Sequence, residues 1–296
     1  MKKYALRTEN PQSVLGGLVQ AGISPSKIKS AYDEFLRSLC LSLKNNSAEP
    51  VSIELHDYVE LEKIKQKLVD QNKVYLNFDS QSSLGGVVVG VSRRFDYTSG
   101  EQLGITSRPG YDELNDQLSR IISEHGKNLG IIEDDIFTGG TLRVMIKAVQ
   151  DAGAEVESVI SGISSTHSID NVPVNAAIYY KPETLLELTD PRDYIFGASN
   201  GGLVVSYLGR KFRVPYCSPL VDVASRSSID PTKIKAFSSD ILDANIKLHS
   251  RLKTPATLAS NFYPLALLDY SKVDRDSTLL EMLNKLKSSL GSVLTY

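Results

Sequence analysis

Residues 131–142 read IIEDDIFTGGTL, and this stretch decides the fold class of the chain. The apolar pair at its start continues a run from Leu129 that is typical of a buried strand. Gly139 and Gly140 then break the strand, and apolar residues at helical spacing follow as far as Val149. A buried strand that leads through a glycine turn into a helix predicts one unit of a parallel α/β sheet.

Short β-rich runs and helical patterns alternate on both sides of this stretch. Strands are predicted at residues 74–78, 87–91, 103–106, 156–163, 174–180 and 193–197, and helices at about 110–126, 140–153 and 203–211. Strands that alternate with helices imply a mainly parallel sheet with helices on both faces. The expected fold class is therefore α/β.

Helical patterns dominate both ends of the chain. Apolar side chains recur at helical spacing in four stretches, at residues 28–43, 61–68, 237–252 and 279–290. We therefore expect three parts: a helical N-terminal segment (residues 1–72), an α/β core (73–222) and a helical C-terminal segment (223–296).

Composition limits the classes of function. A formal net charge of −2 over 296 residues provides no general attraction to nucleic acid or to anionic membranes. No apolar run approaches the roughly 18 residues that a membrane span needs. Because Cys40 and Cys217 are the only cysteines, a disulfide framework and a cysteine-rich metal site are excluded. We expect a small-molecule ligand, no nucleic-acid or membrane partner, no protein-bound metal and a cytoplasmic setting.

The residue types of the opening stretch suit two different chemical groups. Backbone N–H groups of Gly139 and Gly140 at a helix N-terminus, with the hydroxyls of Thr138 and Thr141, can bind a phosphate. The carboxylates of residues 133–135 would repel that phosphate, but they can accept hydrogen bonds from vicinal sugar hydroxyls. Together these groups predict a site for ribose 5-phosphate. The structural alternative is a surface loop whose acids and threonines only cap the helix.

These residues resemble the loop that binds phosphoribosyl pyrophosphate (PRPP) in the type I phosphoribosyltransferases. With residues 138–141 aligned on the family's Thr-Gly-x-Thr, the acidic pair falls on Glu133 and Asp134, and Asp135 stands where an apolar residue is usual. The resemblance implies that Glu133 and Asp134 hold the ribose hydroxyls and that residues 138–141 hold the 5-phosphate, with Asp135 and Phe137 beside them. Some purine-specific members have a catalytic Asp at the position of Phe137, so that base is not carried over.

A second glycine-rich turn lies at residues 197–202, which read GASNGG. Interpreted as strand, turn and helix, it offers backbone N–H groups for a second anion. It is similar to the family's pyrophosphate loop, which implies that Ser199, Asn200, Gly201 and Gly202 bind pyrophosphate. In the family this loop precedes the PRPP loop, whereas here it follows. The resemblance therefore predicts a circularly permuted core.

Residues 92–101 lie between two predicted strands and resemble the family's flexible β-hairpin. The resemblance implies that Arg93 or Arg94 stabilises charge on the departing pyrophosphate. The alternative is an exposed hairpin with two solvated arginines. The resemblance also implies Mg²⁺, which would arrive with PRPP and be held mainly by its oxygens and by water. A homodimer is consistent with the resemblance.

Three functions fit these observations. The first is a phosphoribosyltransferase of nucleotide metabolism, which transfers the phosphoribosyl group to or from a nitrogenous base with exchange of pyrophosphate. The second is a PRPP-sensing protein without catalysis, since Phe137 is not an acid. The third is a serine hydrolase, because residues 197–201 match G-x-S-x-G with Ser199 as the nucleophile and His249 as the downstream histidine.

Overall fold

The computed structural model describes residues 1–18, 22–79, 82, 84–97, 99–165, 174–254, 263, 273–274 and 276–290. The strands are β1 (Lys2–Arg7), β2 (Val51–His56), β3 (Val74–Asn77), β4 (Val87–Val88), β5 (Val91–Asp96), β6 (Gln102–Ser107), β7 (Asn128–Ile136), β8 (Glu155–Ser164), β9 (Asn175–Tyr180), β10 (Leu185–Thr189), β11 (Leu203–Tyr207) and β12 (Arg210–Val214). The α-helices are α1 (Pro11–Leu15), α2 (Pro25–Asn46), α3 (Tyr58–Leu68), α4 (Leu114–His125), α5 (Gly140–Asp151), α6 (Val223–Ser227), α7 (Ile234–Arg251) and α8 (Leu279–Ser289). None of these helices combines the length and the apolar character that crossing a membrane requires.

A five-stranded parallel sheet lies at the centre of the α/β part, in the order β4-β3-β7-β8-β9. Successive side chains of a strand point to opposite faces, and β7 is apolar on both. Leu129 and Ile131 pack on the face covered by α4 and α5, whereas Ile132 packs with Tyr75 on the face that α3 covers. The predicted α/β class, a mainly parallel sheet with helices on both faces, is confirmed.

Two smaller sheets flank this centre. One is parallel, in the order β10-β1-β2, and the other is mixed, in the order β12-β11-β5-β6. Strands β5 and β6 pair antiparallel, so the predicted hairpin around residues 92–101 is present. Strand β11 joins β5 in parallel and connects this hairpin to the second glycine turn.

The largest hydrophobic core brings together the two ends of the chain. Helix α2 begins with Ser24 as its N-cap and Pro25 in its first turn, and it packs along α7. Phe35 of α2 and Phe237 of α7 share this core with Phe196. Residues of all three predicted segments contribute to it, and the division at 72/73 and 222/223 stays a prediction. In the C-terminal segment, residues 255–262, 264–272, 275 and 291–296 lie outside the described residues.

The expectation of a wholly helical N-terminal segment is wrong, because β1 and β2 lie within it. Strand β1 sits between β2 and β10, and Leu6 aligns with Leu55 on one side and with Thr189 on the other. Local pattern could not reveal β1, because Lys2, Lys3 and Arg7 interrupt its apolar run and its partners come from distant parts of the chain.

Two predictions near the second glycine turn are also wrong. Residues 191–194 form a 3₁₀-helix instead of a strand, and residues 203–214 form the β11–β12 hairpin instead of a helix. Leu208 and Gly209 join the two strands with φ of 47° and 75°. Positive φ at both positions suits a two-residue hairpin turn, and the preceding Val-Val-Ser-Tyr run has high β propensity.

Gly202 and Gly209 both have positive φ, but only Gly202 is crowded. A Cβ on Gly202 would lie 2.2 Å from the carbonyl oxygen of Val214, whereas a Cβ on Gly209 would meet no atom within 4 Å. We predict that Gly209→Ala lowers the free energy of unfolding by about 1–2 kcal/mol through backbone strain. Gly202→Ala should lower the free energy of unfolding by about 1–3 kcal/mol more than Gly209→Ala does, because the added methyl group overpacks the site. Urea unfolding measures both, and equal losses would contradict the assigned crowding.

Candidate functional site

A cavity of about 410 Å³ lies at the carboxyl end of the central sheet, where β7 runs into α5. Ligands of open α/β sheets bind at this end of the strands. The predicted site residues that line it are Arg93, Glu133, Asp134, Asp135, Phe137, Thr138, Gly139, Gly140, Thr141, Asn200 and Gly202. Arg94, Ser199 and Gly201 are not among the lining residues. The structure thus brings the first loop together with parts of the hairpin and of the second turn.

The first loop presents a helix N-terminus to this cavity. Gly139 has a φ of 70° and precedes the first residue of α5, so the chain turns sharply there. The first four N–H groups of a helix have no acceptor within it. The side chain of Thr138 reaches only Gly140 N, at 3.4 Å. The remaining N–H groups and the positive end of the helix dipole can therefore bind a phosphate.

Arg7 is the buried charge that organises the carboxyl groups of the site. Its Nε and Nη2 donate to the two oxygens of Asp190 at 2.9 and 2.7 Å. Nη1 donates to Asp79 at 3.1 Å, and Nη2 also donates to Asp134 at 2.9 Å. Lys65 of α3 adds a second ion pair to Asp79, at 3.1 Å. The end of β1 is thereby tied to the ends of β3 and β7 and to the chain after β10.

Arg7 was not found by sequence reasoning. The signal that could have pointed to it is a charged residue directly after Tyr4-Ala5-Leu6, an apolar run that is fully buried. A charge that ends a buried strand needs partners, because an unpaired buried charge is very costly. The sequence does not name those partners, since they come from positions 79, 134 and 190.

The three carboxyl groups of the first loop differ in charge. Burial alone would raise the pKa of Asp134, but the Arg7 guanidinium, a hydrogen bond with the Glu133 side chain and the charges of Arg192 and Arg108 together hold this pKa below its usual range. Burial raises the pKa of Glu133 and of Asp135 well above the usual range, and the charge of Asp134 adds to both shifts. The surroundings therefore favour the ionised form of Asp134 and disfavour ionisation of Glu133 and Asp135.

Hydrogen bonds also separate Asp134 from its neighbours. One Asp134 oxygen accepts from Arg7, and the other accepts the backbone N–H of Asp135 at 2.8 Å. Glu133 accepts the backbone N–H of Asp134 at 3.3 Å and hydrogen-bonds to the Asp134 side chain, but among the described residues neither Glu133 nor Asp135 forms an ion pair with a lysine or arginine. Alternate residues of a strand share a face. Glu133 and Asp135 are thus the pair that is freer to meet a ligand.

Three arginines with incompletely used guanidinium groups line another part of the cavity. Arg108 donates to the carbonyls of Val91 and Phe78 at 2.7 and 3.0 Å. Arg192 forms ion pairs with Asp190 at 2.7 Å and with Glu9 at 2.9 Å. Each side chain is held in place by one edge of its guanidinium group, and the remaining guanidinium nitrogen is left for a ligand.

The third of these arginines, Arg213, donates from Nη1 to the carbonyl of Asn200 at 2.9 Å. Arg213 Nη2 and Arg192 Nη1 are buried without a hydrogen-bond partner among the described residues. Burial and the charges of Arg108 and Arg192 together lower the pKa of Arg213 to about 10. Like charges and unsatisfied donors are both costly, and a bound anion would relieve both costs.

The second glycine turn lacks the strand and the helix that were predicted on either side of it. Ser199 N donates to Val14 O at 3.0 Å, and Gly202 N donates to Asp193 at 2.8 Å, so these N–H groups are used within the protein. The turn leads into β11 instead of a helix, and it therefore lacks a helix dipole. The binding of pyrophosphate by residues 199–202 and the circular permutation inferred from it stay predictions. What the turn contributes is the Asn200 carbonyl, which holds Arg213.

The structure also contradicts the serine hydrolase. A nucleophile elbow needs a strand, a sharp turn and a helix around the serine, whereas Ser199 lies between a 3₁₀-helix and a strand. His249 is fully buried in α7, where its Nδ1 contacts Thr254 Oγ1 at 3.1 Å and burial lowers its pKa to about 4.

Phe137 of the first loop is partly buried and packs against a small apolar cluster that includes Leu61 and Leu188.

Replacement of Arg7 tests the carboxyl network. Arg7→Met leaves Asp79, Asp134 and Asp190 buried without their shared partner, and we predict a loss of about 3–5 kcal/mol in the free energy of unfolding. Because Arg7 lowers the pKa of Asp134 in the folded state, its stabilising effect is present above the unfolded pKa and is lost as pH falls. The difference between wild type and Arg7→Met should therefore be larger at pH 8 than at pH 4.

Urea unfolding at the two pH values measures this difference. Arg7→Lys is the matched control, because it keeps one charge but cannot reach three carboxylates at once, and we expect an intermediate loss. A difference between wild type and Arg7→Met that does not change with pH would show that the network contributes through packing alone.

Two curated proteins are similar to this chain. One, from Methanohalobium evestigatum, is 26% identical over 164 residues, which cover 53% of this chain and 85% of the relative. The other, from Methanosalsum zhilinae, is 27% identical over 107 residues, which cover 36% of this chain and 55% of the relative. Both are named hypoxanthine/guanine phosphoribosyltransferase. No family model and no solved structure matches. The chain is thus related in sequence to phosphoribosyltransferases, and its α/β architecture is consistent with a type I core.

Proposed function

We propose that this protein binds PRPP in the cavity and transfers the phosphoribosyl group to or from a nitrogenous base, with exchange of pyrophosphate. One observation carries the proposal: a single cavity contains a helix N-terminus, neighbouring carboxyl groups and arginines with unpartnered nitrogens. PRPP consists of a phosphate, a ribose with vicinal hydroxyls and a pyrophosphate, so each part has a chemical counterpart. The printed names of the two relatives support the same class of reaction.

The first loop binds the ribose 5-phosphate part. The N–H groups at the start of α5 and the hydroxyls of Thr138 and Thr141 hold the phosphate. Glu133 and Asp135 hold the ribose hydroxyls, because Asp134 is committed to Arg7. Asp134 is then a positioning residue, whose charge adds to the effect of burial in raising the pKa of Glu133 and of Asp135. This assignment moves one ribose contact from Asp134 to Asp135.

The pyrophosphate part binds to Arg108, Arg192 and Arg213 instead of to the N–H groups of the second turn. Negative charge grows on pyrophosphate as its bond to the anomeric carbon breaks and the acceptor nitrogen forms a new bond to that carbon. Fixed guanidinium groups stabilise such charge without having to reorganise. Asn200 contributes by holding Arg213 in place.

Mg²⁺ fits this site as a companion of PRPP. Among the described residues, no group of three or more His, Cys, Asp or Glu side chains is placed to hold a metal ion. Glu133 and Asp135 supply carboxyl oxygens of the type that Mg²⁺ prefers, and phosphate oxygens and water would complete its shell. When bound, the ion would neutralise charge on the pyrophosphate.

A second candidate function is PRPP binding without turnover. Some purine-specific members of the family that the first loop resembles have a catalytic Asp at the position of Phe137. Here Phe137 packs against apolar residues. It cannot exchange a proton, so catalysis requires another group. Release of pyrophosphate from PRPP in the presence of acceptors distinguishes the two functions, because a sensing protein would bind PRPP and release none.

Arg213→Gln tests the pyrophosphate assignment. Loss of a charge-assisted contact should weaken PRPP and pyrophosphate about 10-fold or more, while ribose 5-phosphate keeps its affinity. Calorimetric titration with each ligand and Mg²⁺ measures this. Arg210→Gln is the matched control, because Arg210 lies exposed on the same strand. If the wild type binds no PRPP, the proposed function is wrong. If Arg213→Gln lowers the affinity for all three ligands equally, only the pyrophosphate assignment is wrong.

Asp135→Asn tests the ribose assignment with the opposite selectivity. The change keeps the shape of the side chain but adds a donor where the sugar hydroxyls need an acceptor. We predict weaker binding of ribose 5-phosphate, by about 10-fold, and unchanged binding of pyrophosphate. Asp151→Asn, exposed at the end of α5, is the control. If Asp134→Asn impairs ribose 5-phosphate binding while Asp135→Asn does not, the contact belongs to Asp134.

A further inference from the structure

One end of the cavity contains charged groups that binding of PRPP does not use. This acceptor end consists of Arg93 of β5, Glu187 of β10, Tyr216 after β12, and Ser225 and Arg226 of α6. Their charges act on one another: Arg93 and Arg226 both influence Glu187, and Arg93 influences Arg226 and Tyr216. The four ionisable residues therefore form one electrostatic group, although they come from four separate parts of the chain, and Ser225 lines the cavity beside them.

Arg226 is oriented without being neutralised. Its guanidinium carbon lies 3.9 Å from the ring centroid of Phe95, which is buried. A guanidinium stacked on an aromatic face keeps its N–H donors free at its edges. Within the part of the chain that the structure describes, neither Arg226 nor Arg93 has an ion pair within 4.0 Å or a side-chain hydrogen bond. Arg7, in contrast, forms ion pairs with three carboxylates, and Arg192 forms ion pairs with Glu9 and Asp190.

Few negative charges compensate the two arginines. Asp222 acts on Arg226 from a distance, and its side chain accepts from the N–H groups of Ala224 and Ser225. Glu187 accepts from Ser228 Oγ at 2.9 Å and from Leu188 N at 3.2 Å. Burial raises the pKa of Glu187 to about 7, so this carboxyl is only partly ionised at neutral pH. The acceptor end thus carries a net positive charge and one hydrogen-bonding carboxyl.

We infer that the acceptor is an anionic nitrogen compound, a heterocycle or aromatic amine that carries a carboxylate. Arg93 and Arg226 bind the carboxylate, whose planar oxygens match guanidinium donors, and Glu187 faces the N–H groups of the acceptor. The inference rests on the proposed function and names its substrate class. It departs from the printed names of the two relatives, since hypoxanthine and guanine carry no carboxylate.

Matched pairs of acceptors test the inference. Orotate and uracil, nicotinate and nicotinamide, and anthranilate and aniline differ by the charged group, and hypoxanthine and guanine complete the set. Each compound is titrated calorimetrically into wild type loaded with ribose 5-phosphate, pyrophosphate and Mg²⁺, and pyrophosphate release is measured with PRPP. We expect at least one carboxylated compound to bind about 10-fold or more tightly than its neutral partner.

Arg226→Gln should abolish that preference and leave the affinity for PRPP unchanged, whereas Arg210→Gln should alter neither. The inference is overturned if neutral compounds bind as well as charged ones, if no carboxylated compound binds, or if Arg226→Gln weakens PRPP itself. Wild type that binds no PRPP would instead contradict the proposed function. The two failures are therefore distinguishable.

Discussion

The buried guanidinium of Arg7 is the interaction on which both the fold and the site depend. It joins the small parallel sheet of β1 to the central sheet by contacting Asp79, Asp134 and Asp190. Burying these charges is costly, and the cost is offset because each nitrogen of the guanidinium donates to a carboxylate. The same contacts decide which carboxyl of the first loop is ionised. Structural order and site electrostatics thus have a common origin at the end of β1.

The cavity combines groups that are costly to leave without a ligand. Arg192 and Arg213 each keep a buried nitrogen without a partner among the described residues, and Glu133 and Asp135 are half-buried beside the carboxylate of Asp134. Clusters of perturbed charges of this kind are concentrated at functional sites. Anionic and hydroxyl-bearing parts of a ligand would satisfy the arginines and the carboxyls respectively. The cavity is therefore better explained by binding of a ligand with anionic and hydroxyl-bearing parts than by stabilisation of the fold.

The central sheet could be predicted from sequence because its signals are local. Strand β7 is a continuous apolar run, and α5 follows a glycine turn with regular apolar spacing. The hairpin of β11 and β12 was mistaken for a helix, because a short apolar run does not distinguish the two structures and the turn at Leu208 depends on a positive φ. Strand β1 was missed because its partners are distant in sequence.

The sequence by itself determined the α/β class and the first loop, since one short stretch carries the strand, the turn, the helix and the polar groups of that loop. Only the tertiary structure decided which groups accompany it. Arg7, Arg192, Arg213 and Arg226 come from β1, a 3₁₀-helix, β12 and α6, and no local pattern relates them. Their roles follow from burial, partners and like charges, which exist only once distant segments meet. A local motif can be recognised from the sequence, whereas the electrostatic environment of a site depends on charged residues that only the folded chain brings together.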